Sequence, residues 1–381
     1  MKIAIVCDWL VTIGGAEKVL SEILTCFPEA DLFAVIDYLA PSERQIIHNK
    51  PVQTTFIQKL PFAKSHYRHY LPLMPLAIEQ LNLSRYDLVL SCSHAVAKGV
   101  ITGPDQIHIS YIHSPMRYAW DMQHQYLHES GLDKKWRGYL ARYFLHKLRF
   151  WDARSAQGVD HFIANSHYIA RRIQKTYRRD AEVIYPPVNL KQFTPHHHKE
   201  DYYFTASRLV PYKRVDLIVE SFQKMPDKHL IVIGDGPDFN KIKGKAGRNV
   251  TLLGYQNDEK LVFHLQRAKA FIFAAEEDFG ILPLEAQATG TPVIALNKGG
   301  ARETVRGIDQ EKPTGLFFEE QTIESICNAL TQFEVKQAHF TPEHCIENAA
   351  KFSPERFQTQ LINFVTKIIN TQSHYHASNS R

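Results

Sequence analysis

Short runs of β-branched and apolar residues alternate with amphipathic stretches almost from one end of the chain to the other. That alternation is the signature of βαβ units built on parallel sheets, so an α/β fold is predicted. Strands are expected near KIAIVC (2–7), DLFAVI (31–36), DLVLSC (87–92), IHISYI (107–112), HFIAN (161–165) and EVIY (182–185), with clear helices over 15–26 and 166–177. The pattern restarts at YYFTA (202–206) and runs through HLIVIG (229–234), VTLLG (250–254), AFIFA (270–274), PVIAL (292–296) and GLFF (315–318).

Between the two blocks lies YPPVNLKQFTPHHHKED, whose three prolines deny it regular structure and whose polar end suits a surface connection. The 381 residues exceed the ~250 at which a single hydrophobic core stops growing. Two domains are therefore expected, over 1–187 and 188–350, with a cleft between two similar α/β halves. Beyond 340 the chain reads as helical. Ser353 is a candidate N-cap with Pro354 at the first helical position, and Phe357, Leu361, Phe364, Val365 and Ile368 form a stripe that must pack on something. The closing TQSHYHASNSR lacks such a stripe and is expected to fray.

Several classes fall away. No apolar run approaches the ~18 residues of a membrane span, and the first, IAIVC, is cut short by Asp8. The five cysteines are odd in number, far apart and contain no C-x-x-C pair, so neither a disulfide framework nor a zinc knuckle is encoded and a reducing cytoplasm is expected. Net charge is only +5, from 45 basic and 40 acidic side chains. No recognised nucleic-acid module accompanies it, so no nucleic-acid partner is expected.

Four constellations carry candidate chemistry. In AAEEDFGILPLEAQATGTPVIAL, Glu277 follows a strand and Glu285 lies within the next helix. Glu277 thereby reaches the carboxyl edge of the sheet, where α/β folds bind ligands. The amides of Phe279, Gly280, Ile281 and Leu282 are helix-start donors suited to anionic or hydroxyl-rich ligands, and Gly280 permits close approach. The plainer alternative is that these acids only complement the helix dipole. In ASRLVPYKRVDL, Arg208 leaves a strand and Lys213 is expected to open a helix, where a cation is locally unfavourable unless an anion is bound; solvated surface charge is the plain alternative. In DWLVTIGGAEKVL, Gly14 and Gly15 join strand to helix and admit positive φ, but the run is not a G-x-G-x-x-G fingerprint, and neither is GDGPDFNKIKG. In SYIHSPMRYAWDM, His113 lies just past a strand, either as a satisfied core residue or as a ligand contact.

Taken with VIYPPVN, IGDGP, LLGYQNDEKL and NKGGARETV, these segments resemble, in order and spacing, glycosyltransferase family 4 over essentially the whole chain. The resemblance implies a GT-B fold, two Rossmann-like domains facing across a cleft, with the C-terminal segment 351–381 crossing back onto the first domain. It implies that Arg208 and Lys213 bind the donor diphosphate, that Glu285 holds the ribose and that Glu277 holds the donor-sugar hydroxyls. The FGIL amides complete the sugar and phosphate contacts, Gly14 and Gly15 form the turn covering the phosphates, His113 touches the transferred sugar, and Tyr255 and Gln256 mark the base-binding edge.

HSPMRYAWDM and VIYPPVN are most similar to bacterial mannosyltransferases of O-antigen and other surface polysaccharides, which implies GDP-mannose as donor, a glycan or lipid-linked glycan as acceptor and a role in lipopolysaccharide biosynthesis. Family 4 resemblance further implies retention of anomeric configuration without a metal or other cofactor, and no D-x-D motif is present. His196, His197 and His198 read as a polar linker tract rather than a metal site. A glycosidase would also use paired carboxylates, but Arg208 and Lys213 have no part in that chemistry. A sugar-nucleotide epimerase of the same architecture and a non-catalytic nucleotide-sugar-binding protein stay open as alternatives.

The basic excess does cluster. KKWRGYLARYFLHKLRFWDAR (134–154) has seven Lys and Arg against one Asp, with Trp136, Leu140, Tyr143, Phe144 and Trp151 at helical spacing. That pattern fits a helix on an anionic membrane surface, and core packing explains the aromatic face equally well.

Overall fold

The computed structural model describes residues 1–132 and 136–379. The chain divides into two compact units, one formed by Met1–Pro187 with Glu355–Arg381, the other by Val188–Pro354.

The first unit is built on seven strands: β1 (Ile3–Cys7), β2 (Asp31–Ala34), β3 (Val52–Thr54), β4 (Leu88–Ser93), β5 (Ile107–Ile112), β6 (His161–Ala164) and β7 (Ala181–Val183). They form one sheet in the order β3-β2-β1-β4-β5-β6-β7, and every pairing is parallel. All six residues of β4 and of β5 are buried, as strands covered on both faces must be. The order reverses between β1 and β4, which makes the carboxyl edge there a topological switch point, where open α/β sheets leave a crevice for ligands.

The second unit repeats the plan with β8 (Tyr203–Ala206), β9 (Leu230–Ile233), β10 (Val250–Leu252), β11 (Ala270–Phe273), β12 (Val293–Leu296) and β13 (Gly315–Phe318). Their order is β10-β9-β8-β11-β12-β13, again all parallel, with its switch point between β8 and β11. Each unit is thus a Rossmann-like parallel sheet flanked by helices. The short β3 was not expected: three residues of mixed polarity between turns carry no periodicity of their own.

The C-terminal helix Pro354–Asn379 belongs to the first unit. Its Phe357, Leu361, Val365 and Ile368 are buried in one cluster with Val19, Leu20 and Ile23 of the helix Gly15–Cys26 and with Ile5 and Cys7 of β1, while Phe364 packs at the edge. The helix runs on through 371–379, which the missing apolar stripe had marked for fraying, and Ser380 and Arg381 lie outside the described residues.

The proline-rich connection is irregular apart from the single turn Leu190–Gln192, but it is not a free surface linker. Val188 N–H donates to Phe352 O (2.8 Å), and His196 N–H to Thr289 O (3.2 Å). The Lys199 ammonium donates to Gln266 O and Thr291 Oγ1, both at 2.7 Å. Burial among such neutral acceptors pulls the Lys199 pKa down to about 8. Of the histidine tract, His197 pairs with Glu343 (3.4 Å).

The basic aromatic stretch forms the helix Trp136–Ser155; Lys134 and Lys135 lie outside the described residues. Its two ends differ. Toward the C-terminus Asp152 is fully buried, pairs with Lys98, and accepts from Trp120 Nε1 (2.7 Å) and Tyr177 Oη (2.9 Å). Trp151 turns inward there, against Gly99, where a Cβ would sit 2.2 Å from the indole. Toward the N-terminus Trp136, Tyr139, Leu140, Tyr143 and Phe144 are exposed, so of the five aromatic and leucine positions in the stripe only Trp151 has the core role.

Candidate active site

In the second unit the candidates gather at the switch point. Beyond β8 the segment Ser207–Leu209 is pinned against the β9 turn: Leu209 N–H donates to Asp235 O (2.9 Å) and Asp238 N–H to Leu209 O (3.1 Å). Only glycine permits this approach, since a Cβ at Gly234 would lie 1.9 Å from Ser207 O and one at Gly236 2.4 Å from Leu209 O. The GDGP run is therefore a backing for Arg208, whose side chain is exposed and makes no ion pair among the described residues.

Lys213 does not open a helix. It closes the single turn Pro211–Lys213, Arg214 follows in the left-handed region (φ 55), and the helix begins at Val215. The helix start is compensated by Asp216, which pairs with Arg214 (3.7 Å) and Lys241 (3.0 Å), so the helix dipole supplies no argument for an anion at Lys213. Lys213 instead meets Glu277, the two side chains forming a largely buried ion pair.

Glu277 stands in the loop beyond β11, held by the turn beyond β12. Gly300 N–H donates to Glu277 O (2.8 Å). A Cβ at Gly299 (φ 66) would lie 2.3 Å from that same oxygen, and one at Gly300 2.3 Å from Phe279 Cα. Gly280 (φ 85) then caps the helix Ile281–Ala288, whose first-turn amides, at Ile281 and Leu282, have no earlier carbonyl of their own helix to bond. Glu285 lies in that helix and is buried.

Two residues missed by sequence reasoning hold this helix in place. Gln287, fully buried, donates to Pro283 O (3.0 Å) and Thr304 O (2.8 Å) and accepts from Asn348 Nδ2 (2.8 Å). No local pattern marks them, because Asn348 comes from the helix Pro342–Ala350. Farther along, Tyr255 is exposed, and Gln256 folds back to donate to Leu253 O (2.7 Å).

In the first unit neither Gly14 nor Gly15 uses the positive φ that glycine admits. Gly14 is extended (φ −142) at the N-cap, and Gly15 opens the helix Gly15–Cys26. Gly14 N–H donates to Glu17 Oε2 (2.9 Å), and a Cβ at Gly14 would press on that oxygen at 3.2 Å. Burial raises the pKa of Glu17 even though backbone N–H groups solvate its carboxylate.

His113 follows β5, with its N–H on Ser93 O (2.9 Å) and the Cys92 Sγ 3.0 Å from Nε2. Burial, and then the nearby His94, push its pKa down to about 3, so the ring is neutral at neutral pH. Beside it stand two groups that sequence reasoning passed over. Asp8, one residue beyond β1, is buried and accepts the backbone N–H groups of His94 (2.6 Å), Ala95 (2.9 Å), Val96 (2.6 Å) and Ala97 (2.7 Å). His94 Nδ1 lies 3.1 Å from Asp8 Oδ2. Asp8 was read only as the residue that ends an apolar run; a carboxylate at a strand's carboxyl end, next to a Gly-Gly turn, was the available signal.

Among the described residues, no three His, Cys, Asp or Glu side chains are grouped to hold a metal ion. No described helix is long and apolar enough to cross a membrane.

Comparison with known proteins agrees with this architecture. The family described as Glycosyltransferase Family 4 matches residues 13–192, and that described as Glycosyl transferases group 1 matches residues 189–352. A glycosyltransferase of Methanocaldococcus jannaschii, MJ1178, is 27% identical over 193 residues, covering 48% of this chain and 54% of its own. A Corynebacterium glutamicum protein, a GDP-mannose-dependent monoacylated alpha-(1-6)-phosphatidylinositol monomannoside mannosyltransferase, is 31% identical over 141 residues, 33% of this chain and 36% of its own. The chain thus spans about half or less of the length of these curated relatives. In three dimensions it is similar to Anabaena HepE, solved with UDP, at a TM-score of 0.71 and 15% identity, over 96% of this chain and 100% of that one.

Proposed function

Because the chain belongs, over its two units, to the family 4 and group 1 glycosyltransferase domain families, we propose that it is a retaining GT-B glycosyltransferase that moves mannose from GDP-mannose onto a glycan acceptor in surface-polysaccharide or lipopolysaccharide assembly. The observation that carries this reading is the meeting of Lys213 and Glu277 at the switch point of the second unit. A cation fit for a diphosphate touches a carboxylate fit for sugar hydroxyls, and a nucleoside-diphosphate sugar is the ligand class that needs both at that spacing. Mannose and GDP rest on the sequence resemblance and on the GDP-mannose-dependent relative.

The difficult part of such a transfer is the negative charge that develops on the departing diphosphate. Arg208, Lys213 and the first-turn amides of Ile281–Ala288 are assigned to that charge; a preorganised donor of this kind is worth ~10² to 10³ in rate. Glu277 accepts from the hydroxyls of the donor sugar, Glu285 from the ribose, and the Tyr255–Gln256 loop borders the base. In the first unit His113 is assigned to the transferred sugar and the Gly14–Gly15 turn to the phosphates. No metal has a part in this scheme, so activity should persist in EDTA; loss on chelation with rescue by Mg²⁺ or Mn²⁺ would contradict it. The reading is tested by screening nucleotide sugars for thermal stabilisation, GDP-mannose and UDP-glucose among them. Stabilisation by none of them would overturn it.

The exposed face of Trp136–Ser155 is assigned to an anionic membrane surface at the cytoplasmic side, where a lipid-linked acceptor would be met. Arg137 stacks beside Trp136 (5.7 Å), Arg142 beside Tyr139 (6.0 Å) and Lys147 beside Tyr143 (5.6 Å). Rings of this kind settle at the headgroup level, and each nearby cation adds roughly 1 kcal/mol before screening. Replacing Arg137, Arg142 and Lys147 by Ser should abolish co-sedimentation with phosphatidylserine vesicles and leave activity on a short soluble acceptor intact. A variant that sediments like the wild type would remove the membrane assignment.

A further inference from the structure

We propose that Cys92 is the positioning residue for His113: its thiol donates to Nε2, which keeps the imidazole proton on Nδ1 and makes that N–H a donor to an oxygen of the bound sugar. The inference rests on the glycosyltransferase reading, in which His113 meets the transferred sugar. It adds a residue that lies outside every motif, and it assigns the tautomer of the ring.

The two residues come from neighbouring strands. Cys92 of β4 pairs in register with Tyr111 of β5, and His113 follows the end of β5 by one residue. Because side chains alternate along a strand, Cys92, Tyr111 and His113 take the same face of the sheet. Cys92 Sγ lies 3.0 Å from His113 Nε2, with the angles of a hydrogen bond. The main chain of His113 is pinned on both sides, its N–H donating to Ser93 O (2.9 Å) and its carbonyl accepting from Asn165 Nδ2 (3.0 Å). Tyr111 stands beside the ring at 5.2 Å between centroids, and is itself held by its Oη on Ile184 O (2.9 Å) and by Phe357 at 5.9 Å.

The direction of the bond follows from what each partner can do. Burial, and then Asp8 and Glu17, hold the Cys92 thiol well above its usual pKa, so the sulfur carries its hydrogen. The His113 ring is neutral and has one N–H to place. A thiol sulfur is a weak acceptor, whereas the unprotonated nitrogen of a neutral imidazole is a full one, so S–H to Nε2 is the favoured arrangement. Cys92 makes no other side-chain hydrogen bond among the described residues. Cys7, its partner in register on β1, directs its own S–H to Phe33 O (3.5 Å) and does not compete for Nε2. Nδ1 has no partner among the described residues, and it is not one of the buried side-chain atoms left without one, which are Tyr118 Oη and His344 Nδ1. The Nδ1–H therefore faces outward at the carboxyl edge of β5, where α/β folds bind ligands. An imidazole held in this tautomer binds a sugar oxygen by donating and does not serve as a general base through Nδ1.

The test uses the full chain with Cys92→Ala and Cys92→Ser, which differ by one oxygen: the first removes the donor and the second restores one as an O–H. Long-range ¹H–¹⁵N correlation on histidine-labelled protein reads the tautomer directly, the His113 signals being identified by their loss in His113→Asn. Nδ1–H is expected in the wild type and in Cys92→Ser, with the Nε2–H form appearing in Cys92→Ala. Nε2–H in the wild type would overturn the inference whatever the catalytic result. With GDP-mannose as donor and octyl α-mannoside as soluble acceptor, Cys92→Ala should lower kcat/KM about three- to tenfold, the scale of one neutral hydrogen bond, and Cys92→Ser should recover most of it. Equal kcat/KM in all three proteins would count against the role. So would a loss in Cys92→Ser as large as in Cys92→Ala, which would mark the sulfur as packing alone. A wild type that transfers sugar from neither GDP-mannose nor UDP-glucose would instead overturn the functional reading, and the tautomer spectra, which need no substrate, would still decide the Cys92–His113 bond.

Discussion

Glu277→Gln should reduce sugar transfer by about 10²-fold or more while leaving the fold and the nucleoside-diphosphate affinity nearly intact. The substitution keeps size and shape but exchanges an acceptor-only carboxylate for an amide, so the charge-assisted bonds proposed to donor hydroxyls, each worth ~1.5 to 3 kcal/mol, would be lost. It also releases Lys213 from its ion pair. With that carboxylate neutralised, Lys213 loses a competitor of the diphosphate, and nucleotide affinity is expected to hold or rise slightly. That combination separates the proposed role from simple destabilisation, which would lower both. A purely structural salt bridge would instead show itself as a lowered Tm with turnover per folded molecule unchanged, and that outcome would remove Glu277 from the site.

Arg208→Ala combined with Lys213→Ala should weaken binding of the nucleoside diphosphate by at least ~10²-fold, on the scale of two charged hydrogen bonds. The effect has two sources. Two cations are removed, and Glu277, stripped of its partner, becomes an uncompensated carboxylate facing an anion. The second source can be isolated: Lys213→Ala with Glu277→Gln should bind the nucleotide better than Lys213→Ala alone, a coupling that residues in direct contact are expected to show. Calorimetry on the wild type, Lys213→Ala, Glu277→Gln and the Lys213→Ala/Glu277→Gln double variant gives the four affinities of the cycle. Additive effects would mean that the Lys213–Glu277 contact has no bearing on ligand binding.

How far the sequence reveals this molecule depends on the range of the interaction concerned. Strands such as β9 and β12 are legible because each is an unbroken apolar run, which burial on both faces demands. The three-residue β3 is not legible, and neither is the left-handed Arg214, which moves Lys213 out of the helix: arginine carries no preference for that conformation. The Lys213–Glu277 contact joins residues after β8 and β11, which become neighbours only through strand order. Asp8 and His94 escape for the same reason, since β1 and β4 lie far apart in the chain and side by side in the sheet. Gln287 and Asn348 are hidden differently: a buried amide pair looks, in one dimension, like two surface polar residues.

In the proposed reaction the second unit's switch-point constellation releases a diphosphate while the sugar passes to an acceptor with its configuration kept. The most direct test incubates the protein with nucleotide sugar labelled at the anomeric carbon, in the presence of octyl α-mannoside, and reads the product by NMR. The label is expected in a new glycoside with the same α configuration as the donor, with unlabelled nucleoside diphosphate in equal amount. Label retained on the nucleotide as an epimer, or delivered with β configuration, would contradict it.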